Sequence, residues 1–238
     1  MRLGEVRGIL IMTAQIETVH TATVHIAAVQ GEGAATGSPV SAVGQAAQID
    51  PALTDSFKAA FGGHPAGVSV ITADSATGPV GITASSVASV SAEPPLLAFS
   101  LAASSGSAAA LAVANSVVVH LLTTDDLELA KTFANSNSER FTAAMPWTRL
   151  ETGEPLLTHG GYALRCKILS RTPAGGSLLL AAQVLEIMTP GRSGPAAQVD
   201  PAQANPAQAN FPPVSASAPM VYHSRNFHAL GEHSVMPY

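Results

Sequence analysis

Cysteine, aromatic side chains, charge and long apolar runs are all scarce in this chain. The single cysteine, Cys166, excludes an intramolecular disulfide and a cysteine-built metal cluster, and fits a reducing cytoplasm. Aromatic residues make up 5% of the 238, so a core must be fine-grained and built largely from alanine and β-branched side chains. Charged residues amount to 11% with a net charge of −5, which argues against a nucleic-acid surface and against a polybasic membrane anchor. Any phosphate must therefore be held locally. The first residues, MRLGEVRGILIMTAQ, contain an apolar stretch only from Gly8 to Met12. That is too short for a signal-peptide core or a membrane span, and the expected location is cytoplasmic.

What the chain does have is hydrophobic residues at 47%, ample for one compact domain. Residues 1–49 are poor in aromatics and show no sustained helical period, so they read as an N-terminal extension, although Ile16 to Val29 alternates well enough to pair as a strand. The GEGAATG run at Gly31–Gly37 has the wrong spacing for a dinucleotide-binding turn and no βαβ unit around it. Asp50-Pro51 marks a helix start with Phe57, Ala60 and Phe61 on one face, and the domain, 50–238, is expected to begin there. Strands are expected at Gly67–Ala73, Val80–Thr83, Val87–Ser91, Leu96–Leu101, Val117–Leu122, Tyr162–Arg171, Leu178–Ile187 and Met220–His223. Many short strands with few helices predict an antiparallel barrel, not a parallel α/β sheet. A Pro/Ala/Gln/Asn tract at 189–219 holds PAQAN twice in tandem; it cannot bury a core and reads as an inserted loop, a spacer or a lid.

The most informative stretch is Gly81–Leu101, GITASSVASVSAEPPLLAFSL. Thr83, Ser85, Ser86, Ser89 and Ser91 bring hydroxyls and backbone N–H groups without bulk, so a flat polar ligand could lie against the main chain. The Glu93-Pro94-Pro95 corner then ends one strand and directs the next. AASSGS at Ala102–Ser107 leads into a helix-like run at Ala108–Asn115, whose N-terminal N–H groups favour anions. His223, His228 and His233 recur every five residues, a spacing that suits neither one helix face nor one strand face, so no metal site is expected. His120, in VVVHLL, reads as a satisfied core or interface histidine.

In this order the motifs HPAGVSVITA (His64–Ala73), GITASSVASVSAEPPLLAFSL, VVVHLL, LAKTFANSNSERF (Leu129–Phe141), TGEPLL (Thr152–Leu157), ALRC (Ala163–Cys166) and VYHSRNFHAL (Val221–Leu230) resemble the flavin reductase family, the reductase partners of two-component flavin-dependent monooxygenases. The resemblance implies a mainly β fold, a split antiparallel β-barrel of Greek-key, FMN-binding type with a few peripheral helices. It implies hydride transfer from NADH or NADPH to FMN or FAD, with reduced flavin passing by diffusion to a separate monooxygenase, and a homodimer. Such a reaction asks little of the protein beyond stacking two rings about 3–3.5 Å apart, which suits a chain without a catalytic triad or metal box.

Carried onto this sequence, the resemblance puts Thr83, Ala84, Ser85 and Ser86 at the flavin ring edge and Ser89, Val90 and Ser91 beside the ribityl chain. Ala102, Ser104, Ser105 and Ser107 fall on the phosphate side, with Arg140 as the fixed positive charge. His223, Arg225 and Phe227 are assigned to the nicotinamide, His223 being the one catalytic candidate, and no metal is implied. One departure stands out: the family's Gly-Asp-His element is replaced by Gly175-Gly176-Ser177, with His159 or His223 as conceivable substitutes. That loss keeps a second reading open, a flavin-binding or scaffolding protein without turnover.

Overall fold

Asp50 caps the first helix, its carboxylate accepting the Ala52 N–H at 2.9 Å with proline following at the first helical position. In the computed structural model the described residues are 50–102, 106–189, 217–231, 234 and 236. The expected arm through residue 49, the serines at 104 and 105, and residues 190–216 of the inserted tract lie outside them. In chain order the elements are α1 (Pro51–Gly62), β1 (Ala66–Gly67), β2 (Ser69–Ser75), β3 (Gly78–Ala84), β4 (Ala88–Ala92), β5 (Pro95–Leu101), α2 (Gly106–Val113), β6 (Ser116–Leu121), α3 (Leu127–Ala134), β7 (Trp147–Arg149), β8 (Pro155–Leu157), β9 (Tyr162–Ala174), β10 (Ser177–Met188), β11 (Met220–His223) and β12 (Asn226–Ala229). No helix among the described residues is long and apolar enough to cross a membrane.

Seven strands form one antiparallel sheet in the order β3-β2-β6-β9-β10-β5-β4. Its two edges, β3 and β4, are consecutive in the chain and joined by Ser85-Ser86-Val87, so the sheet stays open where the hydroxyl-rich segment crosses. Side chains from both halves share one core. Ile71, Ala73 and Ala84 come from one side, Leu97, Phe99, Leu101, Leu180 and Ala182 from the other, and Val117, Val119 and Cys166 from the middle strands. The sheet thus curls on itself as a split barrel.

A second cluster of Val68, Val70, Leu122, Ala130, Phe133, Leu157 and Met220 fills the space under α3 and the small β1-β11-β12 and β7-β8 sheets. Gly161 is required at its rim, because a Cβ there would stand 1.8 Å from the Leu121 carbonyl oxygen and block the first pairing of β9 with β6. α1 differs from the other helices. Phe57 and Phe61 do share a face, with ring centroids 4.6 Å apart, but no residue of α1 is buried.

Candidate functional site

The edge crossing is built from residues that are small and already partly committed. Thr83 is buried and donates its hydroxyl to the Ala130 carbonyl at 2.6 Å, tying β3 to α3. Ser86 Oγ accepts the Ser100 N–H at 3.0 Å and donates to the Ser100 carbonyl at 3.1 Å, so its side chain substitutes for a strand neighbour of β5. Two hydroxyls expected to face a ligand are therefore engaged inside the protein. What the crossing offers instead is main chain: among the described residues, the N–H groups of Ser85, Ser86 and Val87 take no part in the main-chain hydrogen bonds between elements. A register shift between Ser89 and Ser91 then turns Val90 outward, and Ser89 is exposed beside it. The Ser85, Ser89 and Ser91 hydroxyls have no partner among the described residues. Ala84 is buried at the end of β3.

The anion end is defined by Arg140. Its Nη1 donates to the Gly81 carbonyl at 2.8 Å and to Ser107 Oγ at 3.0 Å, and its Nη2 donates to the Asn135 carbonyl at 2.7 Å. The guanidinium carbon lies 5.7 Å from the centre of the Phe133 ring. Burial pushes its pKa down from the ordinary arginine value, yet the group stays cationic. Among the described residues no carboxylate pairs with it, and Nε is buried without a hydrogen-bond partner. A fixed cation thus touches the first turn of α2, whose Ala108, Leu111 and Ala112 are buried and anchor it. The pairing of Leu178 with Leu101 sets Ser177 opposite Ala102 at the end of β5. The Gly175-Gly176-Ser177 turn, which lacks an acid or a base, therefore joins β9 to β10 just past the end of β5.

The terminal motif forms the β11-β12 hairpin. Its turn residues Ser224 (φ 49°) and Arg225 (φ 64°) are both left-handed, the backbone of a tight two-residue turn that usually carries Asn-Gly. The Ser224 N–H is tied to the Gly62 carbonyl at 2.9 Å. Arg225 is exposed, His223 is half-buried, and Phe227 packs against Tyr222 at 5.2 Å on the second core. β11 pairs with β1, Tyr222 opposite Ala66, and Ser69 three residues on pairs with Ala84. The hairpin consequently sits off the end of the sheet where the crossing begins. The five-residue spacing of His223 and His228, unhelpful on a single strand, brings their rings to 5.6 Å diagonally across the hairpin. Among the described residues no group of three His, Cys, Asp or Glu side chains is placed to hold a metal ion.

Two other histidines, His120 and His159, are interior. His120 is fully buried; the Leu157 N–H donates to its Nε2 at 3.1 Å, so Nδ1 carries the proton and donates to the Val70 carbonyl at 3.1 Å. Burial first, then His159, pushes its pKa to about 3. His159 accepts the Gly161 N–H on Nδ1 at 3.0 Å and leaves Nε2 buried without a partner; burial lowers it to about 4 against the opposing pull of Asp126. Its side chain is 0% exposed, so it cannot stand in for the missing Asp-His pair in contact with a dinucleotide. His120 is thus the satisfied core histidine expected, while motif reading missed three features: the buried His159–Asp126 pair, buried Glu154, and Phe141 at φ 56°. Only Phe141 carried no sequence signal. A cleft of about 430 Å3 on the outer side of α3 is walled by Asp125, Asp126, Glu128 and Glu139 and contains none of the cradle residues. Its charge repels phosphate.

The fold puts the chain among mainly β, antiparallel split-barrel domains. Residues 61–231 match the model of the flavin reductase like domain, and the chain belongs to the flavin reductase family. It is 38% identical over 172 residues to the NADH:FMN oxidoreductase of Rhodococcus qingshengii, covering 72% of this chain and 79% of that protein. The reductase component of the flavin-dependent trigonelline monooxygenase of Acinetobacter baylyi is 31% identical over 136 residues, 57% of this chain and 44% of that protein. Among solved structures, a flavin reductase domain protein from Arthrobacter sp. FB24 superimposes with a TM-score of 0.61 at 29% identity, over 78% of this chain and 98% of that one.

Proposed function

We propose that this oxidoreductase transfers hydride from NADH to FMN and releases reduced flavin to a separate monooxygenase. The choice of FMN and NADH is supported by the Rhodococcus relative, and the monooxygenase partnership by the Acinetobacter one. The observation that carries the reading is the contact of Arg140 with Ser107 at the head of α2, a cation with no carboxylate beside it among the described residues. A phosphate monoester would supply the missing negative charge and meet the buried, unpartnered Nε.

Bound flavin supplies the hydride acceptor and the reduced nicotinamide the donor. The chain's own task is to hold and orient. Ser85, Ser86 and Val87 would offer main-chain N–H groups to the polar ring edge, and Ser89 and Ser91 their hydroxyls to the ribityl chain, with Val90 beside it. Thr83 and Ala84 fix the crossing from behind. Ala102, Ser107 and Arg140 would hold the phosphate, with Ser104 and Ser105 on the same stretch of chain. His223, Arg225 and Phe227 line the hairpin that would receive the dinucleotide, with His223 as the candidate to contact it. The domain would start at α1 and act as a homodimer, a role to which its exposed apolar residues are suited.

A second reading, flavin binding without turnover, is favoured by one feature alone: the Gly175-Gly176-Ser177 turn carries no acid or base. Anaerobic stopped-flow mixing separates the two. Protein loaded in turn with FMN and FAD is mixed with NADH and NADPH while flavin bleaching is followed, and fast bleaching with FMN and NADH is expected. Tight binding without bleaching would leave the binding protein.

A further inference from the structure

Phe141 follows Arg140 directly and carries φ 56°, a left-handed backbone that crowds the Cβ of a bulky residue. Something must hold it there. Its ring lies edge-on between Phe133, at 5.3 Å and 76°, and Trp147, at 5.2 Å and 77°. Phe133 is 1% exposed and rests on β3 at Gly81, where a Cβ would come within 2.6 Å of its Cε1, so it has no room to retreat. On the other side, Trp147 pairs with Leu157 in the β7-β8 hairpin. Arg149 lies 6.0 Å over its ring and is itself paired to Asp74 of β2 at 2.6 Å. Five side chains therefore form one continuous stack, Arg140-Phe133-Phe141-Trp147-Arg149, anchored on the sheet at both ends.

The reversed φ has a directional consequence. With 141 left-handed, Phe141 joins the second core while Arg140 reaches the Gly81, Ser107 and Asn135 oxygens on the other side of the turn. We propose that Phe141, clamped between Phe133 and Trp147, is a positioning residue whose strained backbone aims the Arg140 guanidinium at the head of α2 and thereby sets the affinity for a phosphate-bearing flavin. This rests on the reading that Arg140 meets the flavin phosphate.

Riboflavin, which has the ring and ribityl chain but no phosphate, isolates the effect. Dissociation constants for FMN and riboflavin are measured by flavin fluorescence for the full chain and for Arg140→Gln, Phe141→Ala, Trp147→Leu and Trp147→Phe. The unmodified protein is expected to favour FMN by about tenfold or more, the size of a charge-assisted contact. Arg140→Gln abolishes that preference; Phe141→Ala and Trp147→Leu reduce it toward the same value with riboflavin binding unchanged; Trp147→Phe retains it. Riboflavin binding doubles as the check that each variant is folded, and the Trp147 pair carries the test if Phe141→Ala does not fold. Folded Phe141→Ala and Trp147→Leu proteins that keep the full preference while Arg140→Gln loses it would overturn the positioning role. An Arg140→Gln protein that keeps the preference would overturn the phosphate reading, and the positioning role with it.

Discussion

His120 and His159 stand 5.2 Å apart inside the second core and are both held neutral, at about 3 and about 4. In an unfolded chain they would titrate at the ordinary 6.5. Between these values the unfolded state binds more protons, so their contribution is complete above about pH 6.5 and is lost as pH falls, by about 1.4 kcal/mol per pH unit for each histidine. Glu154 adds to acid sensitivity in a lower window. Burial would raise its pKa, but hydrogen bonds from Ser116 and Thr152, aided by Arg165, hold it below the usual carboxylate value of 4.5. Urea unfolding at pH 7, 6 and 5 is expected to show a steady fall in stability, with a shallower slope for His120→Gln. Equal stability at the three pH values would contradict the buried neutral pair. At the crossing the decisive residue is Ser85, whose hydroxyl has no partner among the described residues. Ser85→Leu is expected to leave the melting temperature unchanged and weaken FMN binding at least about tenfold, because bulk there covers the main-chain donors. Calorimetric titration with FMN reads this directly, and full affinity in the variant would remove the crossing from the site.

β3 is the element on which the site depends, since it contributes the Gly81 carbonyl to Arg140, the surface under Phe133 and the Thr83 tie to α3. Gly81→Ala puts a Cβ 2.6 Å and 2.9 Å from two carbons of the Phe133 ring and 3.2 Å from the Ile71 carbonyl oxygen. Overpacking of this kind costs about 1–3 kcal/mol, and thermal unfolding should move down by several degrees. An unchanged midpoint would mean that Phe133 has room to shift. The longer strands were legible from alternation, hydroxyl density and proline corners, α1 from its Asp50-Pro51 start signal, and α2 as a helix-like run. β1, β7, β8 and β12, of two to four residues each, are too short to display a period. The stripe on α1 reads as a core face, but amphipathicity reports that a face is apolar and says nothing of what covers it. The same limit applies at the site. A sequence displays the hydroxyls of Thr83 and Ser86 without showing that they are spent on Ala130 and Ser100. The meeting of Arg140 with Ser107, 33 residues apart, was reachable only through the family resemblance. The left-handed Phe141 leaves no trace in composition or spacing.

For the molecule as a whole, the scarcity of charge leaves apolar surface uncovered. On α1, Leu53, Phe57 and Phe61 are 68%, 59% and 54% exposed, and on the outer side of β9 and β10 Leu169, Leu179, Leu185 and Ile187 are about half exposed. An isolated helix of 12 residues is marginal in water, and α1 buries nothing of its own among the described residues. The proposed homodimer would resolve both conditions at once by covering the stripe with a second copy. Sedimentation velocity of the full chain is expected to show a dimer, and Phe57→Asp with Phe61→Asp should convert it to a monomer, because each buried carboxylate would lack a partner. A double variant that remains dimeric would move the interface to the β9-β10 face, where Leu179→Asp and Ile187→Asp would become the next disruption. A native chain that sediments as a monomer would exclude the homodimer altogether. Flavin binding measured on the monomeric variant then tests whether the site needs the second copy. If affinity survives, the cradle between β3 and β4 is complete within one chain; if it vanishes with the dimer, part of the site belongs to the second copy.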